Sequence, residues 1–249
     1  MLTIWSSAIS FIAGFAILHW FLNRYQKACL NTAAHKLAQD KRTARDKRRN
    51  ELNTLLRTKY ARHLPDRDIA QRIAQSTAVQ LLDGLQQKDF TYAQMTLVLS
   101  LRALKIGQIL NCTTEEFFDQ AMEDAERLDE DSGSNEVLLK GIPVSIKDHI
   151  DQKGADSSMG ISMRNFRPAV EDSLIVQLLK DQGALAGFVR TATIQAMMLP
   201  ETRSDTYGIA KNPFNFDRTT GGSSGRYIVI KNRSYISDDY LLVQVVKVV

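Results

Sequence analysis

Two short stretches of this chain hold residue types suited to acyl-transfer chemistry. Lys147 closes Gly141-Ile-Pro-Val-Ser-Ile-Lys-Asp148, and a serine pair sits between glycines in Gly221-Gly-Ser-Ser-Gly225. A serine hydroxyl is a weak nucleophile until a neighbouring base takes its proton. A lysine can be that base only when neutral, which requires burial or a cationic neighbour to bring its pKa from about 10.4 toward 7–8. The apolar run Ile142-Pro-Val-Ser-Ile146 ahead of Lys147 predicts a dry strand as its base. Glycines around Ser223 and Ser224 permit positive φ and close approach of backbone. Each stretch alone has an ordinary alternative: a strand-end lysine pointing at water, and a linker or turn. A phosphate cradle is a third option for the glycines, but no Gly-Lys-Ser/Thr follows. Asp148-His149 could join a Ser-His-Asp or metal site, yet the chain has four histidines and none pairs at ligand spacing.

The elements around these residues follow from periodicity and punctuation. A polar, basic helix runs from Asn23 to about His63, and Leu64-Pro-Asp66 marks a break. Asp68 to Leu82 repeats apolar residues at helical spacing, with Gly84 as a stop. Thr91 caps a helix through Leu104. Thr113-Thr-Glu-Glu116 predicts a capping box that opens a helix through Leu128, followed by a polar loop, Asp129 to Ser134. Gly141 to Ile146 reads as a buried strand. Ser173 to Gly183 reads as a helix ending at a C-cap glycine, and Ala184 to Val189 as the next strand. Strands alternating with helices argue for an α/β core.

The 249 residues suffice for one medium domain plus an appendage. The formal net charge of +4 hides an asymmetry. Arg24 to Leu64 carries twelve Lys or Arg against three Asp or Glu, about nine net positive, so the rest of the chain is about five net negative. No aromatic is interleaved with Lys41-Arg-Thr-Ala-Arg-Asp-Lys-Arg-Arg49, which argues against nucleic acid as a partner. A solvated helix near a membrane is the expectation for it. Leu2 to Leu22 contains no Asp, Glu, Lys or Arg and predicts a single transmembrane span over residues 1–23, with Trp5 and Trp20 at its two interfaces. A cleaved signal peptide and a buried helix are the alternatives. The basic residues after the span predict a globular part facing the cytosol and contacts with anionic lipid headgroups. Cys29 and Cys112 are expected to be unpaired reduced thiols. The sequons at Asn111 and Asn232 are then chance matches.

Taken together, several segments resemble the amidase signature family. They are Leu139 to Asp148, Gly154 with Asp156-Ser-Ser-Met-Gly160, Ser173 to Ala184, Tyr207-Gly-Ile-Ala-Lys-Asn-Pro213 and Gly221 to Gly225. The likeness covers about residues 66–225, and within the family it points to the fatty acid amide hydrolase group with its membrane-anchored members. It implies an α/β amidase signature core, a mixed sheet flanked by helices, in residues 65–225. A basic helix at 24–64 precedes that core, and a tail at 226–249 follows it. The resemblance also implies roles. Neutral Lys147 takes a proton from Ser223, the bridging serine, and Ser223 deprotonates a nucleophilic serine. That nucleophile attacks an amide or ester carbonyl, and water cleaves the acyl-enzyme. Met197, in Gln195-Ala-Met-Met198, maps to a position whose backbone lies beside bound substrate, as does Ser223. No metal or organic cofactor is implied, and the substrate of a full-length form is a fatty acid amide.

Departures from the family begin after Gly225. Arg226 replaces a glycine, and no further glycine follows up to Val249. The family's second glycine-rich turn, which holds the nucleophile and oxyanion-hole amides, has no counterpart there. Ser234 and Ser237 lack glycine neighbours. Arg190-Thr-Ala192 stands where the family usually has Lys/His-Thr-Asn. The expectation is an inactive chain holding only the N-terminal half of the fold, of alternative or misread transcript origin. The alternative is a non-catalytic, membrane-anchored interaction module or an unstable isoform. In the former, a homodimer would form through the basic helix and the helical hairpin.

Overall fold

The computed structural model describes residues 2–131, 137–222 and 224, with side chains from Leu18 onward. Ser223, Gly225, the 226–249 tail with Arg226, Ser234 and Ser237, and the loop residues 132–136 lie outside the described residues.

Helix α1, Leu2–Thr58, is one continuous helix of 57 residues. The single-pass membrane localisation expected from residues 1–23 is corrected here. Among the described residues, no helix is long and apolar enough to cross a membrane. A span needs about 20 predominantly apolar residues, but from Leu18 onward His19, Asn23, Arg24, Gln26 and Lys27 interrupt successive turns. The cytosolic orientation rested on that anchor and falls with it.

One stripe of the basic part of α1 is docked, while Lys27, Lys36 and Lys47 stay exposed. Lys41 is 8% exposed and Arg49 2% exposed. Leu52, Leu56 and the following Tyr60 enter the main core alongside Phe118, Met95 and Leu97. Two short helices follow, α2 (Arg67–Gln75) and α3 (Ala78–Gln86). The apolar periodicity reads through both, but Thr77 breaks it with a capping box to Gln80. Gly84 does not stop the helix. It is buried against Phe90, whose ring would lie 2.6 Å from any Cβ at that position. Helix α4, Tyr92–Leu110, starts at the expected Thr91 cap and ends at left-handed Asn111.

Thr113–Glu116 forms strand β1, not a helix start, and α5 begins at Phe118 and runs to Glu130. The acidic pair that mimics a capping box instead serves buried cations, described below. Strand β2 (Pro143–Lys147), helix α6 (Leu174–Asp181) and strand β3 (Leu185–Thr191) form a strand–helix–strand unit. Their sheet has order β1-β3-β2, with β1 antiparallel and β2 parallel to β3. The α/β layering and mixed sheet expected from the sequence are present. Gly187, at φ +81, sits inside β3 where the register with β2 shifts; a Cβ there would meet the Gln152 amide at 2.2 Å. Two small hairpin pairs, β4 (Arg203–Ser204) with β5 (Gly208–Ile209) and β6 (Lys211–Asn212) with β7 (Asn215–Thr219), lead to the serine pair. Cys29 is exposed and Cys112 buried, both free. Burial pushes the Cys112 thiol up to about 12, so it is inert at neutral pH.

Candidate active site

Lys147 is the last residue of β2 and pairs in parallel register with Thr191, the last residue of β3. Both strand ends therefore open onto one corner of the sheet. Partial burial holds the Lys147 ammonium below its ordinary pKa, in the direction a lysine base needs.

Ser224 is brought to the same corner. Ser224 makes an antiparallel bridge with Thr193, two residues past the end of β3. Its hydroxyl lies 3.5 Å from that of Thr191, a contact at the outer limit of hydrogen bonding. Ser223 itself falls outside the described residues. The approach to the pair is pinned from below: the carbonyl of Gly221 accepts from Thr202 N at 2.9 Å and from Thr202 Oγ1 at 2.8 Å. Gly221 has φ +75, a conformation glycine adopts without strain. Gly222 passes so close to Pro200 that a Cβ would sit 2.5 Å from its carbonyl oxygen. The atom in the way is backbone, so Gly222→Ala is expected to lose about 1–3 kcal/mol of stability, read from urea unfolding. An unchanged midpoint would mean the close approach is not made in solution.

Met197 joins this corner through Thr193, whose hydroxyl donates to Met197 Sδ at 3.1 Å. Ala196 and Met197 both have positive φ, 52° and 59°. Two consecutive non-glycine residues in that region hold local strain of about 1–3 kcal/mol each. The surrounding contacts fix the turn: Ala196 N donates to Met159 O at 2.9 Å. Met197, Met198 and Leu199 are 38%, 85% and 40% exposed, an apolar lip that begins at the Thr193–Ser224 bridge.

The loop after Lys147 is held by buried polar groups that the sequence reading passed over. Asp148 is fully buried and accepts from Ser158 Oγ at 2.9 Å, while Ser158 Oγ accepts from Gly160 N. Burial raises the Asp148 carboxyl, and nearby Arg190 opposes that rise. His149, by contrast, is exposed, so the two do not form an orienting pair. Arg190 has no exposure. It donates to the carbonyls of Asp148 at 2.7 Å, Ile150 at 2.9 Å and Asp156 at 3.1 Å. An arginine inside the apolar strand Leu185-Ala-Gly-Phe-Val-Arg-Thr191 was the available sequence signal. Such a charge persists in a core only with partners. Ala192 is buried, and its amide donates to Cys112 O at 2.9 Å.

Comparison with known proteins bears on this arrangement. Residues 94–225 match the Amidase family, more than half of the chain. A probable amidase of Saccharomyces cerevisiae is 36% identical over 156 residues, covering 62% of this chain and 28% of that protein. Fatty-acid amide hydrolase 2-B of Danio rerio is 32% identical over 177 residues, covering 68% of this chain and 33% of that protein. Among solved structures, a fatty acid amide hydrolase superposes with a TM-score of 0.64 at 23% identity, over 79% of this chain and 37% of that one, a likeness of fold. The chain thus spans about a third of the length of these relatives.

Proposed function

Since the chain belongs to the amidase family, we propose that residues 65–225 are the proton-relay portion of a serine amidohydrolase site. Lys147, neutral, is the base and Ser223 the bridging serine. The reaction such a portion serves is hydrolysis of a carboxamide, with a fatty acid amide as the substrate class in a full-length form. The apolar lip of Met197, Met198 and Leu199 is the surface an acyl chain would meet.

One observation carries this reading. The parallel register of β2 and β3 sets Lys147 beside Thr191, and Ser224 bridges to Thr193 on the same strand exit. Residues more than seventy positions apart are thereby gathered at one corner, where partial burial also favours the neutral amine.

The nucleophile and its oxyanion-hole amides have no counterpart in residues 226–249, which contain no glycine. One oxyanion-hole donor is worth about 10²–10³ in rate, and loss of a nucleophile leaves only residual catalysis. This chain by itself is therefore expected to be inactive toward amides. A serine-directed fluorophosphonate should leave it unlabelled. Labelling that disappears in Ser223→Ala or Lys147→Ala would overturn that expectation.

A further inference from the structure

Helix α1 lies outside the stretch that matches the family, yet two adjacent residues on it reach both sides of the corner. Lys41, buried, donates to Asp156 Oδ2 at 2.8 Å and to Glu115 Oε1. Arg42 donates to the carbonyls of Asp205 at 3.0 Å and Thr206 at 2.9 Å.

From Lys41 the chain of contacts runs to the base. Asp156 also accepts from Phe166 N at 2.6 Å, and its own amide donates to Glu115 Oε2 at 3.0 Å. The Asp156 carbonyl accepts from Arg190, which also holds the carbonyl of Asp148, the residue next to Lys147. From Arg42 the contacts run to Gly221, ahead of the serine pair in the sequence. Asp205 exchanges two hydrogen bonds with the Gln195 side chain, at 2.9 and 3.1 Å, and Gln195 opens the turn that contains Met197. Strand β4 directly precedes Asp205, and Thr202, just before that strand, holds Gly221.

We propose that Lys41 and Arg42 are positioning residues of the candidate site, one turn of α1 fixing the Lys147 loop and the Gly221–Gly222 segment relative to each other. This rests on the Lys147–Ser223 reading and adds to it a scaffold element that the family match does not include. The physical basis is rigidity. A desolvated ammonium shared by two carboxylates strongly resists displacement, because any shift leaves buried charge unpaired. A guanidinium donating to two successive carbonyls fixes the geometry of a turn. A fixed loop keeps water from the Lys147 amine, so the clamp acts on proton affinity as well as on shape.

The test uses the full chain with Lys41→Met, Lys41→Arg and Arg42→Met. Two quantities are followed: the pH profile of Lys147 modification by a small amine-acylating reagent, and amide hydrogen exchange. Arg42 is only half-buried, so Arg42→Met should stay folded. Exchange across 205–207 and 221–222 should then rise about fivefold, with 148–157 unchanged. In Lys41→Met the Lys147 profile should move to higher pH, lowering its reactivity at pH 8 about threefold, and Lys41→Arg should restore it. A folded Arg42→Met with unaltered exchange, or a folded Lys41→Met with an unaltered profile, overturns the proposal. Should Lys41→Met not fold, Arg42→Met and the profile of Lys41→Arg decide. A wild-type Lys147 that titrates as an ordinary lysine would instead overturn the base assignment, leaving the Arg42 exchange result to judge the clamp.

Discussion

Replacing Arg49 by methionine is expected to remove about 3–5 kcal/mol of folding stability. Its guanidinium is 3% exposed and lies 2.9 Å from Glu116 Oε1, on a carboxylate that is 1% exposed. It also donates to the carbonyl of Thr113 at 3.0 Å and to its hydroxyl at 2.7 Å, and that hydroxyl donates in turn to Glu116 at 2.6 Å. The methionine stem fills much of the same volume, so the loss is electrostatic and not a cavity. What remains is a buried carboxylate with one hydroxyl donor, and Glu116 Oε2 already has no partner. Domains are stable by only about 5–15 kcal/mol, so the variant approaches the folding threshold. The control is Arg49→Met with Glu116→Gln, which removes both charges and should recover most of the loss. Urea unfolding of both variants measures it. A loss below about 1 kcal/mol in the single variant would show that water reaches the pair.

The same pair explains what the sequence did and did not reveal. Glu115 and Glu116 follow two threonines, and locally that is a capping box. The competing fact is tertiary: Lys41 and Arg49, from a helix more than sixty residues earlier, need buried carboxylates at that place. No local pattern announces a partner so distant. Burial of Lys41 and Arg49 is hidden for the same reason, since charge density alone suggests a solvated face. Elements fixed by short-range physics were legible. The Thr91 cap, the apolar strand before Lys147, and the Gly183 stop at φ +80 all lie where sequence places them. Of the candidate site, the residue types were visible but not their supports. Thr193, Thr202 and Arg190 act by position on strand exits and loops, and threonine and arginine carry no periodic signature. The anchor reading over residues 1–23 weighed local hydropathy. The helix instead continues unbroken into basic sequence in which Lys41, Arg42, Arg48 and Arg49 pair with the globular part.

Arg190→Met is expected to lose about as much stability as Arg49→Met, about 3–5 kcal/mol, but its consequences should concentrate in the loop after Lys147. Arg190 is the only described side chain that holds the carbonyls of Asp148, Ile150 and Asp156 at once. Without it these buried acceptors lose a charge-assisted donor, each such bond being worth about 1.5–3 kcal/mol. Arg190 Nε has no hydrogen-bond partner and faces Glu115 Oε2 only at 4.0 Å, so the guanidinium is retained for its two terminal nitrogens. Arg190→Lys separates charge from shape. The ammonium keeps the charge beside Asp148 and Glu115, but a single nitrogen cannot span three carbonyls as the planar fork does. The lysine variant should therefore fold with roughly half the loss and still show faster amide exchange between residues 148 and 157. Equal stability of Arg190→Lys and wild type, with protected amides in that loop, would mean that charge alone orders it. Asp148 supplies an independent check. Arg190 opposes the burial-driven rise of its carboxyl, so removing the guanidinium should raise the pH at which Asp148 protonates further. A lysine at the position should hold it near the wild-type value, because the opposing charge remains.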